Sequence, residues 1–398
     1  MAMALETPGL LSLAAGFTDN RTLPVDAVRA AVDALAEQSG ESEYLQYGTN
    51  RGRPGLRRLL AERLVAMEPE LASETDISAG MLVTNGSQQA LYLAMQVLCD
   101  PGDIVLVDRP SYFVFLEMLA GLGVQARSLP LDAEGRIDGV ALRRLLAEMD
   151  ARGDTKRLKA VYFVSYFSNP SARSLDEGEK NAVAAALAER GLIIPVLEDA
   201  AYRDLYYRQP YAARSVLSLP EWKAFPKLYL ATLTKSFATG LKVGYCFCSD
   251  RAWLDKMLHV KGHHDFGTTN LNQAVLEQVL SNGGFEEQLA RIRPAYETKM
   301  RSLNDTLVTG GLAERGWRWK EPTGGLYLWL EAPHGLDTSM DSEFCHACVH
   351  EGVLYVPGDL CFGDDAPKHF ARLSFGVLGG DELVEAGLRF VTVAKRFG

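Results

Sequence analysis

The chain has 398 residues, 47% of them apolar and 23% charged, proportions of a folded globular protein and far from the polar composition of disorder. At roughly 150 residues per domain, this length predicts two domains and a large buried core. Lys and Arg number 41 against 51 Asp and Glu, a formal net charge of −10, which argues against nucleic acid as a standing partner and points to a small molecule.

In chain order, the segment from Met1 to Phe17 is fairly apolar but holds Glu6 and Pro8, and no Lys or Arg precedes Arg21. It lacks the basic start of a secretory leader. Later apolar runs, such as Leu192 to Leu197, have the length of buried strands and fall well short of the ~20 residues that cross a bilayer. The expectations are therefore no membrane partner and a cytoplasmic location. Six cysteines are too sparse for the disulfide framework of a small secreted domain.

The middle of the chain alternates short apolar strands with amphipathic helices. Strands are predicted at 81–84, 104–107, 160–164, 193–197, 227–233 and 243–248, with helices at 88–98, 112–122, 140–149 and 177–190. This alternation predicts a mostly parallel sheet covered on both faces. Such a sheet binds ligands beyond the carboxyl ends of its strands, so the strand-end residues are the candidate site.

Asn85-Gly86-Ser87-Gln88-Gln89 follows a strand and opens a helix, a geometry that aims free backbone N–H groups at an anion, although Gly-Ser at a helix start is also ordinary capping. Gly121-Leu122-Gly123-Val124-Gln125-Ala126 fits a loose GxGxxA pattern, but it follows a helix and opens a strand, the reverse of a dinucleotide fingerprint. Ser168-Asn169-Pro170 follows the strand at 160–164, and Glu198-Asp199-Ala200-Ala201-Tyr202 follows that at 193–197. Thr234-Lys235-Ser236-Phe237 comes after the next. A lysine in such a place is ordinarily a solvated charge, yet it is also the side chain able to form an imine with an aldehyde cofactor.

From about Gly284 the texture changes to a long helix ending near Thr309, a Trp/Tyr-rich strand pair around 317–330, a helix near 342–350, a strand near 370–375 and a final helix. That reads as a smaller α+β domain. In Cys345-His346-Ala347-Cys348-Val349-His350, helical spacing puts the two cysteines on one apolar face and His346 elsewhere, so the segment reads as core packing, with no metal expected.

Taken together, Gly86-Ser87-Gln88, Ser168-Asn169-Pro170, Asp199-Ala200-Ala201-Tyr202, Thr232-Leu233-Thr234-Lys235 and Arg372-Leu373-Ser374-Phe375, in this order over nearly the whole chain, resemble the class I/II aminotransferases of fold type I. The likeness is greatest to the branch containing α-aminoadipate and kynurenine aminotransferases. It implies an α/β enzyme dependent on pyridoxal 5′-phosphate, with a large, mostly parallel mixed-sheet domain at 45–283 and a smaller α+β domain made of 1–44 and 284–398. The implied reaction is ping-pong transfer of an α-amino group between an amino acid and a 2-keto acid. Another fold type I reaction on an amino acid, by a β-lyase, decarboxylase or oxidase, is the alternative.

Under that resemblance Lys235 would hold the cofactor as an imine and then move the proton between the substrate Cα and the cofactor C4′. Asp199 would face the pyridine nitrogen and keep it protonated. Tyr202 and Asn169 would hydrogen-bond the ring hydroxyl, and Tyr112 would stack on the ring. Ser87, Gln88, Thr232 and Thr234 would hold the phosphate. Arg372 would clamp the substrate carboxylate through two parallel hydrogen bonds, assisted by Asn169.

Gly16 would sit at the substrate, and the segment that follows Ser12-Leu13-Ala14-Ala15-Gly16, here Phe17-Thr18-Asp19-Asn20-Arg21, would lie over the site and help select the substrate side chain. Asp19, Asn20 or Arg21 are candidates to meet a polar side chain, and a solvated loop is the alternative. Leu45-Gln46-Tyr47-Gly48 resembles the family segment whose tyrosine reaches the phosphate of the partner subunit, which implies a homodimer with Tyr47 acting in trans. The loop at 267–270 is expected to border the same interface. One position departs from the family pattern: Gly240-Leu241 is followed by Lys242 where the family usually carries arginine. Lysine keeps the charge but not the planar fork, so phosphate binding is expected to be looser or rearranged.

Overall fold

The computed structural model describes residues 9–38, 42–73 and 76–397; the first eight residues of the segment read against a leader lie outside them. Its strands are β1 (Leu11–Ser12), β2 (Met81–Asn85), β3 (Ile104–Val107), β4 (Gln125–Ser128), β5 (Leu158–Val164) and β6 (Val196–Asp199). They continue with β7 (Lys227–Thr232), β8 (Val243–Cys248), β9 (Tyr327–Glu331), β10 (Val353–Leu354), β11 (Val356–Pro357) and β12 (Phe370–Ser374).

Seven strands form one sheet in the order β2-β8-β7-β6-β5-β3-β4. Only β8 runs against the rest, pairing antiparallel with both β2 and β7. The α/β fold with a large, mostly parallel mixed sheet is therefore the one expected. All four residues of β3 are buried, because a sheet covered on both faces leaves no side for polar alternation.

One face carries the helices Gly86–Leu98, Phe113–Gly121 and Arg251–His264, and the other carries Gly139–Arg152 and Glu177–Ala188. On the second face the helix starts follow cap chemistry. Asp138 accepts from the N–H groups of Val140 and Ala141, and Asp176 forms a reciprocal capping box with Glu179, which satisfies donors the helix itself leaves free.

A third body of core joins Leu13 and Ala31 to the helix Gly284–Thr309, the antiparallel sheet β11-β12-β9 and the final helix Gly380–Phe397. No helix among the described residues is long and apolar enough to cross a membrane.

Several expectations need correction. The strand expected at 193–197 is β6, shifted to Val196–Asp199. Pro195 cannot donate to a ladder, and Glu198 and Asp199 are part of the strand. The strand pair expected at 317–330 is β9 plus one isolated bridge between Arg318 and Glu331. Pro322 and Gly324-Gly325 interrupt the pairing, and Gly324 packs so tightly that a Cβ there would meet the Phe167 ring at 2.6 Å.

Helices at Val25–Glu37, Pro54–Met67 and Asn270–Ser281 were not among the elements read from the sequence. Gly121 to Ala126 is a helix-to-strand turn running into β4, with Gly123 at φ 70°. Cys345 and Cys348 are buried in the core and His346 is exposed, as the helical spacing predicts.

Candidate active site

The carboxyl ends of β2, β5, β6 and β7 open on one cavity of about 130 Å³. Its walls are Asn85 to Gln88, Tyr112, Val164, Asn169, Asp199, Ala201, Tyr202, Thr232, Thr234, Lys235 and Lys242. Residues as much as 157 positions apart in the chain (85 to 242) thus converge because parallel strands end together.

Lys235 follows β7 by three residues and is half-buried. Burial, with the positive charges of Arg372 and Lys242, lowers its amine to about 8, and its Nζ donates to the Gly16 carbonyl. Asp199, the last residue of β6, is buried. Its Oδ1 accepts from the Ala201 N–H at 2.9 Å and its Oδ2 from the Tyr162 hydroxyl at 3.1 Å. Both donors are neutral, and burial outweighs them, raising the carboxyl to about 6. Tyr162 escaped sequence reasoning, since an aromatic inside a buried strand reads as core.

At the β2 end of the cavity, the helix Gly86–Leu98 begins without a side-chain cap on its free N–H groups. Gly244 of β8 lies against this turn so closely that a Cβ would come within 2.3 Å of the Ser87 nitrogen. Thr232 and Thr234 hydroxyls are 2.7 Å apart, and Lys242 sits in the left-handed region at φ 57°. Asn85 and Gln89 donate to Asp265 at 2.9 and 2.8 Å, which ties the turn to the start of the 265–270 loop.

Tyr112 precedes the helix Phe113–Gly121, and burial raises its phenol. The turn that presents it is held by Asp108, also unnoticed in the sequence. The Asp108 carboxyl accepts from the Ser111 hydroxyl and from the Val164 N–H at 3.0 Å, and burial, with Asp199 nearby, lifts it to about 7.

Arg372 and Gly16 border this cavity rather than line it. Arg372 is 2% exposed, and its Nη1 donates to Asn169 Oδ1 at 2.8 Å and its Nη2 to the Ala14 carbonyl. Its Nε is buried with no hydrogen-bond partner. Tyr47 is 85% exposed and lies against Phe266, outside the cavity of its own chain. Asp19 is buried, with its carboxylate already taken by Arg21 and by Lys299, whose Nζ lies at 2.8 Å. These cations hold it well below the usual range against the opposing effect of burial. It has no free oxygen with which to read a substrate.

A family model for aminotransferase class I and II matches residues 9–386. The chain belongs to this family. It is 30% identical over 391 residues to a 2-aminoadipate transaminase of Thermus thermophilus, covering 98% of this chain and 91% of that one. To an aromatic-amino-acid aminotransferase of Thermococcus litoralis it is 28% identical over 397 residues, covering 98% and 89%. A crystal structure of Pyrococcus horikoshii kynurenine aminotransferase in complex with PMP superposes with a TM-score of 0.87 at 28% identity, covering 99% and 92%.

As an aminotransferase, the enzyme transfers amino groups between amino acids and keto acids, and its family implies pyridoxal phosphate. The lyase, decarboxylase and oxidase alternative is not favoured.

Proposed function

We propose that Lys235 is the covalent anchor of pyridoxal phosphate in this aminotransferase and the base that carries the proton between the substrate Cα and the cofactor C4′. When bound, the cofactor supplies an aldehyde that takes up the amino group and a ring that draws off electrons as the Cα proton leaves. The observation that carries the reading is the meeting of Lys235 and Asp199 in one cavity, an amine lowered to about 8 and a carboxylate buried against neutral donors. Such an amine is partly neutral near neutral pH, so it can attack an aldehyde and later hold a proton. A buried carboxylate without a cation fits a protonated ring nitrogen, whose charge would offset the cost of burial.

The uncapped N–H groups at Ser87 and Gln88, with the Thr232 and Thr234 hydroxyls and Lys242, suit a phosphate. Lys242 contributes a point charge there, not a fork. We assign Tyr112 to the ring face, and Tyr202 and Asn169 to the ring oxygen. Arg372 is assigned to the substrate carboxylate, because its buried Nε lacks a partner and Asn169 fixes the guanidinium plane. Gly16 keeps the backbone strap close over the substrate.

The enzyme is further read as a cytoplasmic homodimer acting on free amino acids and 2-keto acids, with domains at 45–283 and at 1–44 plus 284–398 and with Tyr47 reaching the partner's phosphate corner. Leu45, Tyr47 and Phe266 are exposed apolar side chains, a patch that association would cover. Asn270 Nδ2 donates to the carbonyls of Glu43 and Gln46, joining that segment to the 267–270 loop.

Lys235→Ala tests the assignment. The variant should retain the cofactor through the phosphate contacts and Asp199 while transaminating at a small fraction of the native rate; a normal rate contradicts it.

A further inference from the structure

Tyr327, on β9, is assigned by none of the motifs, yet it touches both ends of the site. Its side chain is 1% exposed and its hydroxyl lies 2.9 Å from that of Tyr202. Arg372 Cζ sits 4.4 Å from its ring centroid. On the third side, a Cβ at Gly16 would come within 2.8 Å of its hydroxyl. In the ladder between β9 and β12, Tyr327 faces Ser374, two residues from Arg372, so the strands that carry the arginine also fix the ring beneath it.

We propose that Tyr327 is a positioning residue for transamination: its hydroxyl donates to Tyr202 and so strengthens the hydrogen bond from Tyr202 to the cofactor's ring oxygen, while its ring holds Arg372 in place. The inference rests on the assignment of Tyr202 to that oxygen.

The direction of the bond follows from counting protons. A phenol has one O–H and two lone pairs. Once Tyr202 donates to an anionic ring oxygen it can only accept, so the proton between the two phenols comes from Tyr327. A donor that is itself being donated to becomes stronger, by about 10–30% per link. The titratable and charged groups that act most on Tyr202 are Tyr327, Tyr112 and Arg372, and Asp199, Lys235 and Lys242 line the same cavity. Of these, Tyr327 is the one within hydrogen-bond reach of its hydroxyl.

Tyr327→Phe removes the hydroxyl and keeps the ring. In loaded enzyme the visible absorption of the cofactor is titrated with pH. A hydrogen bond to the ring oxygen favours its anion, so weakening that bond raises the midpoint. Tyr327→Phe is expected to raise it by roughly 0.2–0.6 of a pH unit. Tyr202→Phe should raise it further, and the double variant should match Tyr202→Phe alone.

The KM for amino acids should stay within about twofold in Tyr327→Phe, because the ring remains beneath Arg372, and should rise in Tyr327→Leu. A midpoint moved by Tyr202→Phe but not by Tyr327→Phe overturns the inference and leaves the Tyr202 assignment standing. If neither variant moves it, the Tyr202 assignment fails and the inference with it. A Tyr327→Phe shift that persists undiminished in the Tyr202→Phe background also overturns the inference, and an unchanged KM in Tyr327→Leu overturns the role given to the ring.

Discussion

Glu198 and Asp199 are consecutive at the end of β6, yet Glu198 meets a buried cation, with Lys180 Nζ 3.0 Å from its Oε1, while Asp199 faces the cavity. Strand alternation sends them to opposite faces. Lys180 and Glu198 are both fully buried, and the Ser165 and Ser215 hydroxyls and the Val216 N–H also donate to Glu198. Removing the cation strands the carboxylate, so Lys180→Met should cost about 3–5 kcal/mol of stability, measured as a lower midpoint in denaturant.

Asp199→Asn should behave in the opposite way. The folded protein raises this carboxyl from 3.8 to about 6, so its ionisation opposes folding once the pH exceeds the unfolded value. Without cofactor, the variant should melt at a higher temperature than the native protein at about pH 8, and the difference should vanish below about pH 4. Loaded, it should lose at least about a hundredfold in turnover, because no negative charge holds the ring nitrogen protonated. Equal melting curves at both pH values would show that Asp199 is not strained by its burial.

Loading reports on Lys235 directly. An amine at about 8 is protonated and unreactive well below that pH. The rate at which unloaded protein takes up pyridoxal phosphate should therefore climb with pH through a midpoint near 8, followed by stopped-flow absorbance. A midpoint above 10 would mean an ordinary solvated lysine.

Much of this site was legible because its chemistry sits where strands end, and the apolar runs at 104–107 and 243–248 mark strands β3 and β8 to the residue. What escaped depends on contacts that sequence spacing does not carry. Tyr327 reaches Tyr202 across 125 positions, and in its own strand it looks like one more core aromatic. Asp108 reads as a turn residue until its bond to the Val164 N–H ties two strand ends together. Ile193 and Ile194 extend the apolar run ahead of β6, but Pro195 and an Ile193 that is 44% exposed start the ladder later, at Val196. Of the three candidates Asp19, Asn20 and Arg21, spacing does not show that the Asp19 carboxylate is already held by Arg21 and Lys299.

Arg372 should act on every substrate alike. Arg372→Lys keeps the charge but cannot present two parallel donors, so KM should rise roughly tenfold or more for each amino acid tried, with the order of preference unchanged. Steady-state kinetics over acidic, aromatic and aliphatic amino acids checks this. A penalty confined to one class would reassign Arg372 to the side chain.

The most direct test of the account is to reduce the loaded native enzyme with borohydride, digest it and locate the pyridoxyl group by mass spectrometry. The account predicts a single modified residue, Lys235, at the cavity end of β7. A pyridoxyl group on Lys242, or on any lysine outside the cavity, would contradict it.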